Sequence, residues 1–307
     1  MSRGRILVIR GGAIGDFILT LPALAALRKN FPQTHLAVLG YPQIASLAEP
    51  GGCVNEVRSI EARALAGFFA RRGELDKALG EWFGGFNIIV SYLYDPDEIF
   101  RENVARYSKA QFIAGPHRHN ESQEIHATDV FLKPLERLAI FGADPIPRLA
   151  LNSQPSTLNT LAVHPGSGSE KKNWPEKSWQ ELLQRIASET DWRVLLAGGE
   201  AEGERLQRLS SLLPIQRLSV AMHQPLPELA KMLAACNAFL GHDSGITHLA
   251  AAVGLPGVAL WGETNPNIWR PRSDHFELLR DERGLEHLEV ASVFAAIREL
   301  MNDHGKH

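Results

Sequence analysis

Three short turns in this chain combine glycine, small and polar residues, each between an apolar run and a helical pattern. Arg10-Gly11-Gly12-Ala13-Ile14-Gly15-Asp16 follows Ile6-Leu7-Val8-Ile9. His164-Pro165-Gly166-Ser167-Gly168-Ser169 follows Leu161-Ala162-Val163. Gly241-His242-Asp243-Ser244-Gly245-Ile246-Thr247-His248 follows Ala238-Phe239-Leu240. The first amides of a helix lack partners, and its dipole favours negative charge, so such turns are ready anion sites. Together they point to one phosphorylated ligand held between two α/β halves.

The turns differ in chemistry. Asp16 either caps a helix, worth about 0.5–2 kcal/mol, or stands at the mouth of a cleft as a general base for an attacking hydroxyl. The pattern around it is neither GxGxxG, since Ala13 and Asp16 occupy the later glycine positions, nor a phosphate loop with a glycine-lysine-hydroxyl triplet. In the second turn Gly168 permits close backbone approach, Ser167 and Ser169 offer hydroxyls, and the following Lys171-Lys172-Asn173-Trp174-Pro175 adds positive charge. The competing reading there is a solvated surface loop. In the third turn Asp243 either caps the helix or orients anion-binding amides. A hydrolytic Ser244 would want GxSxG, which is absent, and a metal would want more ligands at matched spacing, so no metal is expected. His248, in an Ala-rich helix, reads as a packing residue before a catalyst. Glu200 and Glu202 follow another strand end and suit either ribose hydroxyls or a charged helix start.

These turns need strands and helices to present them. The pattern alternates strand and helix throughout, which argues for parallel α/β architecture. Strands are expected at 6–9, 35–39, 56–60, 87–91 and 111–115, then at 161–164, 193–197, 239–240 and 258–261. Helices are expected over 16–30, 62–81 and 128–141, then over 179–189, 200–212, 227–235, 248–253 and 290–301. Residues 144–156, with Pro145, Pro147 and Pro155, read as a linker. Two domains follow, 1–150 and 151–307. The 307 residues carry 32 Lys and Arg against 35 Asp and Glu, a net charge of −3, which gives no argument for nucleic acid. Cys53 and Cys236 lie far apart and read as buried thiols in a reducing compartment. No apolar stretch reaches the ~20 residues of a spanning helix, so a cytoplasmic protein is expected, with peripheral membrane contact left open.

The motifs together resemble glycosyltransferase family 9, the lipopolysaccharide heptosyltransferase family. The resemblance is carried by Arg10 to Asp16 with Leu19-Thr20-Leu21-Pro22-Ala23-Leu24, by His164 to Ser167 with Lys172-Asn173-Trp174-Pro175, and by Asp243-Ser244-Gly245 with Thr247-His248-Leu249-Ala250-Ala251 and Gly262-Glu263-Thr264-Asn265-Pro266. It implies a GT-B fold, two Rossmann-like domains facing a cleft, with acceptor on the first and nucleotide-sugar on the second. It implies inverting, metal-independent transfer with no cofactor, ADP-heptose being the favoured co-substrate and a lipopolysaccharide-core or related surface glycan or glycolipid the acceptor, at the cytoplasmic face of the inner membrane. Asp16 would then be the base and Lys172 the cation facing the departing diphosphate. Ser167, Gly168, Ser169, Asp243, Ser244, Gly245, Thr247 and His248 would hold the phosphates. Glu202, Glu200 and Gln224 fall to the ribose and base. Arg10, Arg58, Arg63 and Arg118 fall to the acceptor, although exposed arginines also suit a solvated face. The physical logic is displacement at an anomeric carbon, with a base on one side and charge neutralisation on the other. Two alternatives share the architecture: a nucleotide-sugar epimerase, for which no acid and base pair around the donor sugar can be assigned, and a non-catalytic nucleotide-sugar binder, which would not need Asp16.

Overall fold

A computed structural model describes residues 4–151, 158–169, 172–199 and 202–303. The chain divides into two compact units, Met1–Leu149 and Ala150–His307. Each is a parallel sheet with helical connections.

In the first unit the strands are β1 (Arg5–Arg10), β2 (His35–Gly40), β3 (Glu56–Ser59), β4 (Ile88–Ser91) and β5 (Gln111–Ala114), in the order β3-β2-β1-β4-β5. Their register aligns Ile9 with Leu39 and with Ser91. Ile6, Leu7, Val8 and Ile9 are all buried, because a parallel strand is covered on both faces. The helices are α1 (Ile14–Ile18), α2 (Leu21–Asn30), α3 (Pro42–Ala45), α4 (Lys77–Gly84), α5 (Ile99–Ala105) and α6 (Ala127–Leu132).

Three expected helices are divided. The 16–30 helix breaks at Leu19-Thr20, since Pro22 has no N–H for the Ile18 carbonyl and its ring crowds that carbonyl. The 62–81 stretch is a 3-10 turn, Arg63–Phe69, a bend, and then α4, started by an Asp76 carboxylate that accepts from the Leu79 amide at 2.8 Å. Gly67 and Gly73 weaken the helix between them. The 128–141 helix becomes α6 and a 3-10 turn, Lys133–Leu138, divided before Pro134.

In the second unit the strands are β6 (Thr160–His164), β7 (Arg193–Gly198), β8 (Leu218–Met222), β9 (Ala238–His242), β10 (Gly257–Leu260) and β11 (Phe276–Leu279), in the order β11-β10-β9-β6-β7-β8. The helices are α7 (Glu176–Glu189), α8 (Gly203–Ser210), α9 (Leu226–Ala234), α10 (Gly245–Ala252), α11 (Pro266–Trp269) and α12 (Val290–Asp303). Trp174, Trp179, Leu182, Ile186, Leu240, Val293 and Ile297 pack into the core on one face. In each sheet the order reverses at one seam, β1 beside β4 and β6 beside β9. Ligands of open α/β sheets bind beyond the strand ends at such a reversal. All three turns singled out in the sequence leave seam strands: the first leaves β1, the second β6 and the third β9.

Candidate active site

In the first unit the chain leaves β1 at Arg10 and turns through Gly12, which takes φ +106°. A Cβ there would lie 2.8 Å from Asp16 Oδ2, so only glycine fits both the angle and the space. Asp16 sits in the first turn of α1. Its Oδ2 accepts from the Ala13 amide at 3.1 Å, and its main-chain carbonyl accepts from Thr20 Oγ1 at 2.8 Å. Arg10 is buried. Its Nη1 donates to the His117 carbonyl at 2.9 Å and its Nη2 to the Asp16 carbonyl at 3.2 Å, and the guanidinium covers the Phe131 ring at 4.4 Å. Burial lowers the Arg10 pKa, opposed by the neighbouring Asp16 charge. The Asp16 side chain keeps one third of its surface, enough for an oriented carboxylate to meet a ligand.

The other arginines of this unit are placed differently. Arg58 pairs with Glu56 at 2.6 Å and lies over Trp82 at 4.4 Å. Glu56 also meets His35 and accepts from Trp82 Nε1. Burial raises its pKa, but the bonds from His35, Arg58 and Trp82 outweigh this and hold it low. Arg63 is exposed at the start of its 3-10 turn. Arg118 is exposed and lines a groove of about 900 Å³ with Ile125 and Phe141.

In the second unit β6 and β9 pair so that His164 stands beside Gly241, which brings their following turns together. Lys172 Nζ donates to Asp243 Oδ2 at 2.7 Å, with the Asp243 carboxylate nearly buried and the Lys172 side chain 43% exposed. Ser244 caps α10, its Oγ accepting from the Thr247 amide at 3.3 Å. The helix cap is thus Ser244, while Asp243 holds the lysine. Thr247 Oγ1 donates to the His242 carbonyl. Lys172, held on Asp243, thus stands beside Ser244 at the N-terminus of α10. Ser167 Oγ lies 2.8 Å from Asn173 Oδ1 and from the Ser169 carbonyl, so its hydroxyl shapes the turn, and Gly168 takes φ +74°.

Two buried histidines stand behind these turns. His164 Nδ1 donates to the Ala197 carbonyl at 2.9 Å. His242 Nε2 accepts from the Trp174 amide at 2.8 Å, which places its proton on Nδ1, 3.3 Å from the Gly166 carbonyl. Burial pushes the His242 pKa down to about 3 and that of His164 in the same direction, so both rings are neutral. Glu202 is buried and accepts from the Gly199 amide at 2.9 Å. A Cβ on Gly166 would lie 2.3 Å from Glu202 Oε1, so the glycine makes room for that carboxylate. Glu200 lies outside the described residues. Gln224 is exposed beyond edge strand β8, two strands from β6, with Nε2 3.4 Å from the Met222 carbonyl. His248 is buried on α10. Sequence reasoning missed Arg205, whose Nη1 donates to the Pro165 carbonyl at 3.3 Å from α8. No motif marked it. No group of three or more His, Cys, Asp or Glu among the described residues is arranged to hold a metal.

The two Rossmann-like parallel α/β units have the architecture of the GT-B fold. Residues 146–293 match the sequence model of glycosyltransferase family 9 (heptosyltransferase). It is 33% identical to lipopolysaccharide heptosyltransferase 1 of Pseudomonas aeruginosa over 164 residues, which are 53% of this chain and 44% of that protein. The fold matches a family 9 glycosyl transferase from Veillonella parvula with a TM-score of 0.80 at 18% identity, covering 98% of this chain and 97% of that one. It also matches the E. coli heptosyltransferase WaaC with ADP, with a TM-score of 0.76 at 20% identity, covering 96% and 99%. No helix among the described residues is long and apolar enough to cross a membrane.

Proposed function

We propose that this chain transfers a sugar, with heptose favoured, from a nucleotide-diphosphate sugar to a lipopolysaccharide-core or related surface glycan acceptor, with inversion at the anomeric carbon. The reading is carried by the Lys172–Asp243 pair at 2.7 Å beside the N-terminus of α10. An ammonium fixed by a nearly buried carboxylate, next to a helix N-terminus, suits a diphosphate whose charge grows as it leaves. The family 9 match over 146–293 and the ADP named with the E. coli neighbour favour an adenine nucleotide donor.

In the proposed step the acceptor hydroxyl oxygen bonds to the anomeric carbon and gives its proton to Asp16. The bond from that carbon to the diphosphate breaks, and Lys172, the α10 amides and Ser169 take up the released charge. The buried Glu202 carboxylate is proposed to face the ribose. Arg63 and Arg118, both exposed, are candidates for an acidic acceptor, and peripheral contact with an anionic membrane surface would bring a glycolipid to them.

The test is a thermal-shift screen with ADP-, UDP-, GDP- and dTDP-linked sugars, followed by turnover with a lipid-linked core acceptor. A shift with the ADP-linked sugar, and donor consumption that Asp16→Asn abolishes while nucleotide binding survives, is the expected result. Interconversion of free nucleotide-sugars without acceptor would overturn it in favour of an epimerase.

A further inference from the structure

The second turn is fastened at both ends by a side chain that does not itself face outward. His242 is fully buried at the end of β9, edge-on to Trp179 with centroids 5.4 Å apart. Its Nε2 accepts from the Trp174 amide and its Nδ1 faces the Gly166 carbonyl. The next residue, Asp243, holds Lys172 between those two points. The last residue of β9 and the one that follows it therefore grip the turn at its start, at its lysine and at its exit.

We infer that His242 is a positioning residue whose ring clamps Gly166 and Trp174 and so sets Lys172 against Asp243 and the start of α10. The inference rests on the reading that this turn meets the donor diphosphate. A neutral imidazole suits the task because one edge accepts while the other donates, in a rigid plane. Without it the Trp174 N–H and the Gly166 C=O would be buried without partners, and such groups cost about 1–3 kcal/mol each. The charged and titratable groups acting on the ring are His164, Arg205 and Asp243, and burial outweighs them all in keeping it neutral.

The experiment compares His242→Gln, His242→Asn and His242→Phe in the full chain. Gln can reach the Trp174 amide with its carbonyl oxygen, Asn can reach only toward Gly166, and Phe keeps the packing on Trp179 without either bond. Hydrogen exchange of the Trp174 amide, read by NMR, is expected to quicken about tenfold or more in the Asn and Phe variants and to stay near wild type in Gln. The kcat is expected to fall in the same order, about tenfold in Asn and Phe, with donor KM changed by less than about threefold. Equal exchange in wild type and His242→Phe overturns the clamp. Should Phe fail to fold, Gln and Asn alone decide, and equal exchange in those two overturns it as well. Wild type that turns over no nucleotide-sugar overturns the transfer reading instead, because the exchange measurement is independent of turnover.

Discussion

Arg10 Nη2 lies 3.4 Å from Asp16 Oδ1, with the arginine buried and the aspartate one third open. The same nitrogen also donates to the Asp16 main-chain carbonyl. One guanidinium thus fixes both the backbone and the carboxylate of the proposed base, and it is itself wedged on Phe131 and Tyr92. Arg10 was expected to touch the acceptor; it is 2% exposed, and we propose that it supports Asp16.

Arg10→Met is therefore expected to lower kcat at least as strongly as it lowers stability. Removing one partner of a fully buried pair costs about 3–5 kcal/mol. Asp16 can rehydrate, so a loss of about 1–3 kcal/mol in urea unfolding is expected, with nucleotide affinity unchanged. Wild-type turnover in a folded Arg10→Met would show that Asp16 needs no such support.

Lys172→Met should reduce kcat by about 10²–10³ while donor KM moves far less, because the charge it meets develops on the way to the transition state. Steady-state kinetics with the donor varied will decide this. A change confined to KM would make Lys172 a ground-state contact only.

The buried histidines give stability a defined pH dependence. An unfolded histidine titrates near 6.5, whereas His242 in the fold titrates at about 3 and His164 is shifted the same way. Above pH 6.5 neither state gains a proton and the full stability is present. Below it the unfolded chain binds protons that the folded chain refuses, so stability is lost as pH falls toward 3. The slope is at most about 1.4 kcal/mol per pH unit for each ring. Urea midpoints measured from pH 7.5 to 5 should decline, and less so in His242→Gln. A level series would contradict the burial argument.

Gly166→Ala should destabilise by about 1–3 kcal/mol, since the added methyl meets the Glu202 carboxylate. Combining it with Glu202→Ser should recover part of the loss, which a double-mutant cycle measures as coupling. Purely additive losses would place the strain elsewhere.

The central strands and the three seam turns were legible in the sequence for a physical reason. Runs such as Ile6–Ile9 and Ala238–Leu240 are apolar throughout because both faces are covered. Edge strands β8 and β11 were not read, since Ser219 and Val220 are exposed and Glu277 faces water, which dilutes the apolar signal. The short helices α5 and α11 escaped for want of enough turns to show a period. At the site, the residue types of the Ser167, Lys172 and Asp243 turns were visible, but their pairing was not. The His242 contact to Trp174 spans 68 positions and the Arg205 contact to Pro165 spans 40, and no local pattern carries such information.

The reversal of strand order has a bearing on how such a protein can diversify. The bonds that fasten Lys172, Asp243 and His242 run to Gly166, Trp174 and Thr247, all on connections leaving β6 and β9. The connections beyond β8 and β10, where Gln224 and Glu263 stand, branch from strands further out in the sheet. A chimera that imports those outer loops from a relative keeps these contacts whole. The outer loops can drift in sequence while the Lys172–Asp243 pair and its His242 support are inherited intact.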